Sequence, residues 1–143
     1  MRVAQILRSK GTRIISIQLR ESVAAAARLM VAENIGAIVV TDVVLTEGST
    51  VVGMISERDI VRALITSGND VLKMPIEKLM SKKLISCEPN DNLADVMEKM
   101  DRYGIRHLPV LEEHTLVGVL SVRDVIHVLR GVVTEKEVVA PAA

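Results

Sequence analysis

The sequence predicts a mixed α/β fold (α+β) made of two tandem β-α-β-β-α repeats. Three observations carry that expectation. Gly53-Met-Ile-Ser56-Glu-Arg58-Asp59-Ile-Val-Arg-Ala-Leu64 recurs as Gly118-Val-Leu-Ser121-Val-Arg123-Asp124-Val-Ile-His-Val-Leu129. Upstream, Ser22-Val-Ala-Ala-Ala-Ala-Arg-Leu-Met30 and Ile35-Gly-Ala-Ile-Val-Val40 lie over Asn92-Leu-Ala-Asp-Val-Met-Glu-Lys-Met100 and Ile105-Arg-His-Leu-Pro-Val110. Within each copy a helical stretch is followed by two short β-branched runs around a polar loop, the pattern of a hairpin. Self-similarity of this kind decides the architecture before any single element does.

In chain order, Arg13–Ile17 and Lys83–Cys87 read as short first strands. A helix follows over Ser22–Glu33 and Asn92–Tyr103. Its stop is Asn34 in one copy and Gly104 in the other, the two residue types that best tolerate the left-handed conformation closing a helix. Asn92–Tyr103 is amphipathic, with Leu93, Val96, Met97 and Met100 on one stripe. Val23–Ala32 is apolar nearly all round apart from Arg28, as in a helix covered on more than one side by the other repeat or by a second chain. Its alanines also suit a tolerant surface, since alanine is a good helix former.

The hairpins are Ala37–Val40 with Val51–Ser56, and Leu108–Leu111 with Leu116–Ser121. The first loop, Thr41 to Val52, is five residues longer than the second, Leu111 to Val117. Last helices run over Glu57–Ile65 and Val122–Leu129. Thr66–Pro75 is the linker. The division expected is a first repeat with its linker at 1–74, a second repeat at 75–131 and a frayed tail at 132–143.

A chain of 143 residues holds one ordinary domain or two small ones sharing a core, and a single copy would be marginal alone. The formal net charge is zero, which gives no broad footprint for nucleic acid or an anionic membrane. Tyr103 is the only aromatic residue, so base-stacking surfaces are nearly absent. Cys87 is the only cysteine, which fits a reducing compartment, and it reads as an inert small hydrophobe. Met1-Arg-Val-Ala-Gln has no apolar core of signal-peptide length, and no apolar run approaches ~18 residues. The expected location is cytoplasmic.

Ser56-x-x-Asp59 and Ser121-x-x-Asp124 both open the last helix, and two readings stand. As architecture, Ser at N-cap with an acid three residues on makes a capping-box-like start. As a site, Arg58 and Arg123 matter: a cation in the first turn opposes the helix macrodipole by about 0.3–1 kcal/mol, and makes sense opposite a phosphate. The carboxylate would then accept hydrogen bonds from a ribose diol, as in dinucleotide sites.

With these residues in view, the chain resembles a pair of CBS domains, the cystathionine β-synthase repeat, often called a Bateman module. Gly53-Met-Ile-Ser-Glu-Arg-Asp and Gly118-Val-Leu-Ser-Val-Arg-Asp resemble the family's closing G-h-h-S/T-x-x-D signature, and Ile105-Arg-His-Leu-Pro-Val110 its usual second-strand start. The likeness spans residues 3 to 130. It implies pseudo-twofold symmetry, a flat dimer (a homodimer here), and clefts between repeats that bind adenosine-containing ligands: AMP, ADP, ATP, NAD or S-adenosylmethionine.

Carried over by residue, Asp59 and Asp124 would hold ribose, Ser56 and Ser121 ribose or phosphate, and Arg58 and Arg123 phosphate. Ile15 and Ser16, Ile85 and Ser86, Gly36, Ala37 and Ile38, and Arg106, His107, Leu108 and Pro109 would line base and phosphate pockets. Arg106 and His107 stand where the first copy has Gly36 and Ala37, so the two sites are expected to differ, the second suiting more phosphate. His107 also reads as a buried strand histidine; His114 and His127 read as surface residues.

No catalytic constellation appears: the histidines lack metal-ligand spacing, and there is no GxGxxG or Gly-rich lysine loop. The expectation is a non-enzymatic, energy-sensing regulatory module that needs no metal and acts on an unidentified effector protein. Its rivals are an interaction scaffold whose Ser-x-x-Asp elements are only caps, and a nucleotide hydrolase using Asp59 or Asp124 with a cation.

Overall fold

The structure of the protein is a computed structural model that describes residues 1–10, 14–44 and 48–131. The tail expected at 132–143 lies outside the described residues. Two packed units make up the fold: Ile15–Ile85, and Met1–Ile14 together with Ser86–Ala143. The repeats in sequence and the packed units therefore do not share boundaries. Residues 75–85, read as the start of the second repeat, pack with the first unit, and the N-terminal residues pack with the second.

In the first unit, β1 (Ser16–Gln18) runs parallel to β2 (Ala37–Val44), which pairs antiparallel with β3 (Gly48–Ser56). Between β1 and β2 lies α2 (Val23–Glu33), with α1 reserved for the N-terminal helix Val3–Lys10, and β3 leads into α3 (Glu57–Ser67). Ser22 caps α2, accepting from the Ala25 amide, and Asn34 ends it at φ 53°. Two 3-10 turns, Gly68–Lys73 and Ile76–Lys78, follow α3. The core joins Leu19, Val23, Ala26, Met30, Ile38, Val40, Ile55 and Ile60 to Val71 and Ile76 of those turns.

In the second unit, α4 (Leu93–Tyr103) precedes β4 (His107–Glu112) and β5 (Thr115–Ser121), and a last helix, α5, spans 122–131. Gly104 closes α4 at φ 63°, the place Asn34 takes on α2. Both helices bury three matching positions, Val23, Ala26 and Met30 on α2 and Leu93, Val96 and Met100 on α4. Despite its apolar composition, α2 leaves Val31 83% exposed.

Three local expectations need correction. The first strand of the second copy, expected over Lys83–Cys87, shrinks to one parallel bridge, Cys87 to Val110, closed by hydrogen bonds of 3.0 and 2.8 Å. The long loop expected over Thr41–Val52 is largely strand, because Thr41 pairs with Val51 and Val44 with Gly48; only 45–47 lie outside the described residues. The linker over Thr66–Pro75 is the end of α3 and a 3-10 turn with Val71 fully buried.

The hairpins share a bulge that the sequence does not announce. Val40 pairs with Gly53 but Thr41 with Val51, leaving Val52 extra. Val110 pairs with Gly118 but Leu111 with Leu116, leaving Val117 extra. A bulge twists and bends its strand, so both copies bend just before the signature glycine.

The N-terminal helix α1 was not foreseen, and its place is a third duplication. The amides of Val3 and Ala4 donate to Asp91 O (3.0 Å) and Pro89 O (2.9 Å), while Leu93 donates to Met1 O (2.9 Å). In the first unit the amides of Ile76 and Glu77 donate to Glu21 O (2.8 Å) and Leu19 O (3.0 Å), while Val23 donates to Met74 O (2.9 Å). Met1–Lys10 thus does for the second unit what Met74–Lys83 does for the first. Val3 and Ile6 are 0% and 1% exposed, and Ile76 is 0%.

Each signature glycine lies under one of these segments. A Cβ on Gly53 would collide with the Ser81 carbonyl oxygen, and one on Gly118 would come within 2.8 Å of Leu7 Cδ2. Close approach of a neighbouring segment, rather than an unusual φ, favours glycine at both places, against backbone at Gly53 and against the movable end of a side chain at Gly118.

Candidate functional site

In each unit the turn from the second hairpin strand into the last helix gathers the signature. Ala37 pairs with Ser56 across β2 and β3, and the Glu57 amide donates to Gly36 O at 2.9 Å. His107 pairs with Ser121 across β4 and β5, and the Val122 amide donates to Arg106 O at 2.9 Å. The start of one strand is thereby clamped beside the start of one helix, in the same way twice.

Both helix starts are capping boxes. Ser56 Oγ accepts from the Asp59 amide (3.2 Å), and Asp59 Oδ2 accepts from the Ser56 amide (2.9 Å). Ser121 Oγ accepts from the Asp124 amide (3.1 Å), and Asp124 Oδ2 accepts from the Ser121 amide (2.9 Å). Such caps are worth about 1 kcal/mol each. The caps occupy one carboxylate oxygen; Oδ1 of Asp59 and of Asp124 accepts nothing from a described residue. Arg58 and Arg123 are exposed and form no ion pair with another described residue.

The remaining predicted residues divide between the units. In the first, Ser16 opens β1 opposite Val39, Ile15 precedes it half-buried, and Gly36, Ala37 and Ile38 lead into β2. Ile38 is 1% exposed, so only its backbone could face a ligand. The same holds for fully buried Leu108, and Pro109 is buried as well. Ile85 ends the first unit and Ser86 begins the second part of the other. Ser86 O accepts from Lys99 Nζ at 2.8 Å. Arg106 is exposed and His107 half-buried; His114 and His127 are exposed, as expected.

The two carboxylates differ in one respect that sequence reading missed. Lys10 Nζ, at the end of α1, lies 2.8 Å from Asp124 Oδ2 and 2.6 Å from Val119 O. Burial would raise the Asp124 pKa, but hydrogen bonds from Lys10 and Ser121, with the lysine charge, outweigh it and hold the carboxyl below its ordinary value. Asp59 has no lysine partner among the described residues. A usable signal lay in the sequence: Met1–Lys10 echoes Met74–Lys83, sharing both terminal residues, with Val3, Ile6 and Leu7 matched by Ile76, Leu79 and Met80.

Along α3 an open groove reaches Asp59, with Arg62, Thr66, Met74 and Lys78 on its walls. Burial first, then the charges of Asp91 and Glu88, push the Cys87 thiol up to about 12, against a lowering by Lys99. A thiol so placed stays protonated and unreactive. Among the described residues no three His, Cys, Asp or Glu side chains are grouped to hold a metal, and no helix is long and apolar enough to cross a membrane.

Known proteins fit this arrangement. The family model "CBS domain" matches residues 3–66 and again 76–131. The CBS domain-containing protein YhcV of Bacillus subtilis is 32% identical over 113 residues, 79% of this chain and 76% of its own. The CBS-domain protein ATU1752 of Agrobacterium tumefaciens superposes with a TM-score of 0.82 at 33% identity, covering 88% of this chain and 91% of that one. The CBS domain pair of protein MJ0100, solved in complex with 5′-methylthioadenosine and S-adenosylmethionine, gives a TM-score of 0.77 at 25% identity, covering 90% and 99%. With two tandem matches filling most of its length and the expected α/β fold, this chain belongs to the CBS-domain family.

Proposed function

We propose that the protein is a non-catalytic regulatory module that binds an adenosine-containing ligand at its duplicated helix starts and signals to a partner protein. One observation carries this reading: each cap uses a single oxygen of its aspartate and leaves Oδ1 open to every described residue, beside an arginine that pairs with none of them. A free carboxylate oxygen accepts from a ribose hydroxyl, and an arginine at a helix N-terminus attracts a phosphate. The adenosine ligands bound by the MJ0100 pair support the ligand class. Which member of AMP, ADP, ATP, NAD or S-adenosylmethionine is preferred belongs to this proposal, as do a homodimeric state, a cytoplasmic location and independence from metals. Signalling requires that the ligand favour one conformation over another by its own difference in affinity.

The satisfied caps favour a second reading, an interaction scaffold whose Ser and Asp only start helices. Asp→Asn separates the two, because the amide oxygen still accepts the cap amide while the second carboxylate oxygen is lost. In thermal unfolding against AMP, ADP, ATP, NAD and S-adenosylmethionine, a ligand at a hundredfold excess over Kd adds about 2.7 kcal/mol. The expected result is a rise with at least one of them, reduced in Asp59→Asn or Asp124→Asn while the unliganded midpoint stays nearly unchanged. No rise with any compound at millimolar concentration would leave the scaffold.

A further inference from the structure

The two copies of the signature are not equally open, and the difference lies outside the signature itself. Lys10 comes from α1, 114 positions before Asp124. Its ammonium spends two of its three N–H donors on Val119 O and Asp124 Oδ2. The pair is partly sheltered, with side-chain exposures of 33% and 20%. Asp124 Oδ2 therefore accepts from both the Ser121 amide and Lys10, whereas among the described residues Asp59 Oδ2 accepts from the Ser56 amide alone.

An ammonium and a sugar hydroxyl are both hydrogen-bond donors to a carboxylate, so Lys10 does at Asp124 part of what a ribose would do. We infer that Lys10 is a specificity-determining residue: its contact with Asp124 neutralises that carboxylate and confines tight adenosine binding to the Asp59 copy. Resting on the ligand reading above, the inference adds which copy is used and which residue decides it.

Hydrogen bonds to an uncompensated charge are about twice as strong as neutral ones. Loss of that advantage is expected to make the Asp124 copy about tenfold weaker. Placing the cation on the carboxylate oxygen, and not free beside the helix start, separates this reading from a lysine held ready for phosphate.

The test is calorimetric titration of the full chain with adenosine, AMP and S-adenosylmethionine. Wild type is expected to show one tight class per chain that Asp59→Asn removes. Lys10→Met keeps the aliphatic stem and removes the charge; it is expected to strengthen the weaker class about tenfold, giving two comparable sites. The double variant Lys10→Met/Asp124→Asn is expected to return to one. Loss of tight binding in Asp124→Asn with retention in Asp59→Asn would overturn the inference while leaving the ligand reading intact. So would weaker binding in Lys10→Met, which would make the lysine a ligand contact. No binding of any of the three probes by wild type and Lys10→Met alike would overturn both.

Discussion

Asp59 and Asp124 sit at the same place in two copies of one unit, make the same reciprocal cap within 0.1 Å, and keep different company. Lys10 reaches Asp124 from the N-terminal segment, and no described lysine reaches Asp59. Around Asp124 the strand start carries Arg106 and His107; around Asp59 it carries Gly36 and Ala37. Duplication has preserved the backbone device and released the charges around it. Local hydrogen bonds that start a helix tolerate little change, while side chains arriving from a distant segment can diverge without disturbing the fold.

That comparison can be tested at the level of packing first, where the effects are largest. If Met1–Lys10 and Met74–Lys83 are equivalent supports, Ile6→Ala and Ile76→Ala should each cost about 2–5 kcal/mol in urea unfolding. Both side chains are at most 1% exposed. A cost below ~1 kcal/mol for Ile6→Ala alone would break the equivalence.

The signature glycines should sharpen it. Gly53→Ala meets the Ser81 carbonyl, which is backbone, and should cost about 1–3 kcal/mol. Gly118→Ala meets the end of the Leu7 side chain, which can move, and should cost less. Equal losses in chemical denaturation would mean that the two supporting segments are equally rigid.

The smallest effect concerns acid. The Asp124 carboxyl is lowered from 3.8 by its partners, so its contribution is present above that unfolded value and fades as pH falls through the folded one. Lys10→Met should therefore destabilise the protein by less than about 1 kcal/mol at pH 7, as befits a partly exposed pair. The gap between the two proteins should close below about pH 3.8. A gap constant from pH 7 to 3 in thermal unfolding would show that the lysine stem, not the charge, carries its effect.

Much of this architecture was legible in the residues because the signals are local. Asn34 and Gly104 marked the ends of α2 and α4, and both adopt the left-handed conformation that such stops require. Ser56 with Asp59 and Ser121 with Asp124 spelled out their caps, which the structure contains bond for bond. What escaped was non-local. Val3–Lys10 is too short to show a helical period, and its meaning lies in Val3 and Ile6 filling a core more than 80 residues away. The polar stretch from Thr41 forms strand because its backbone finds partners, something composition reports poorly. Conversely, Lys83–Cys87 has strand-like residues and secures a single bridge. At the candidate site, the residues of each cap were readable, whereas Lys10 was signalled only through the echo of Met1–Lys10 in Met74–Lys83. That echo hints at where the segment packs but not at the contact between positions 10 and 124.

The exchange of supporting segments also sets an order of events during synthesis. Val3 and Ile6 are synthesised more than 80 residues ahead of Pro89–Leu93, the stretch to which the backbone of their segment is hydrogen-bonded. At about 5–20 residues per second, these apolar side chains wait on the order of 5–20 seconds without a partner. The first unit, by contrast, has every segment it needs once Ile85 has emerged. Met1–Lys10 therefore finds its place later than the unit that follows it in sequence, and a change in that segment would weigh on the second unit, not on the first.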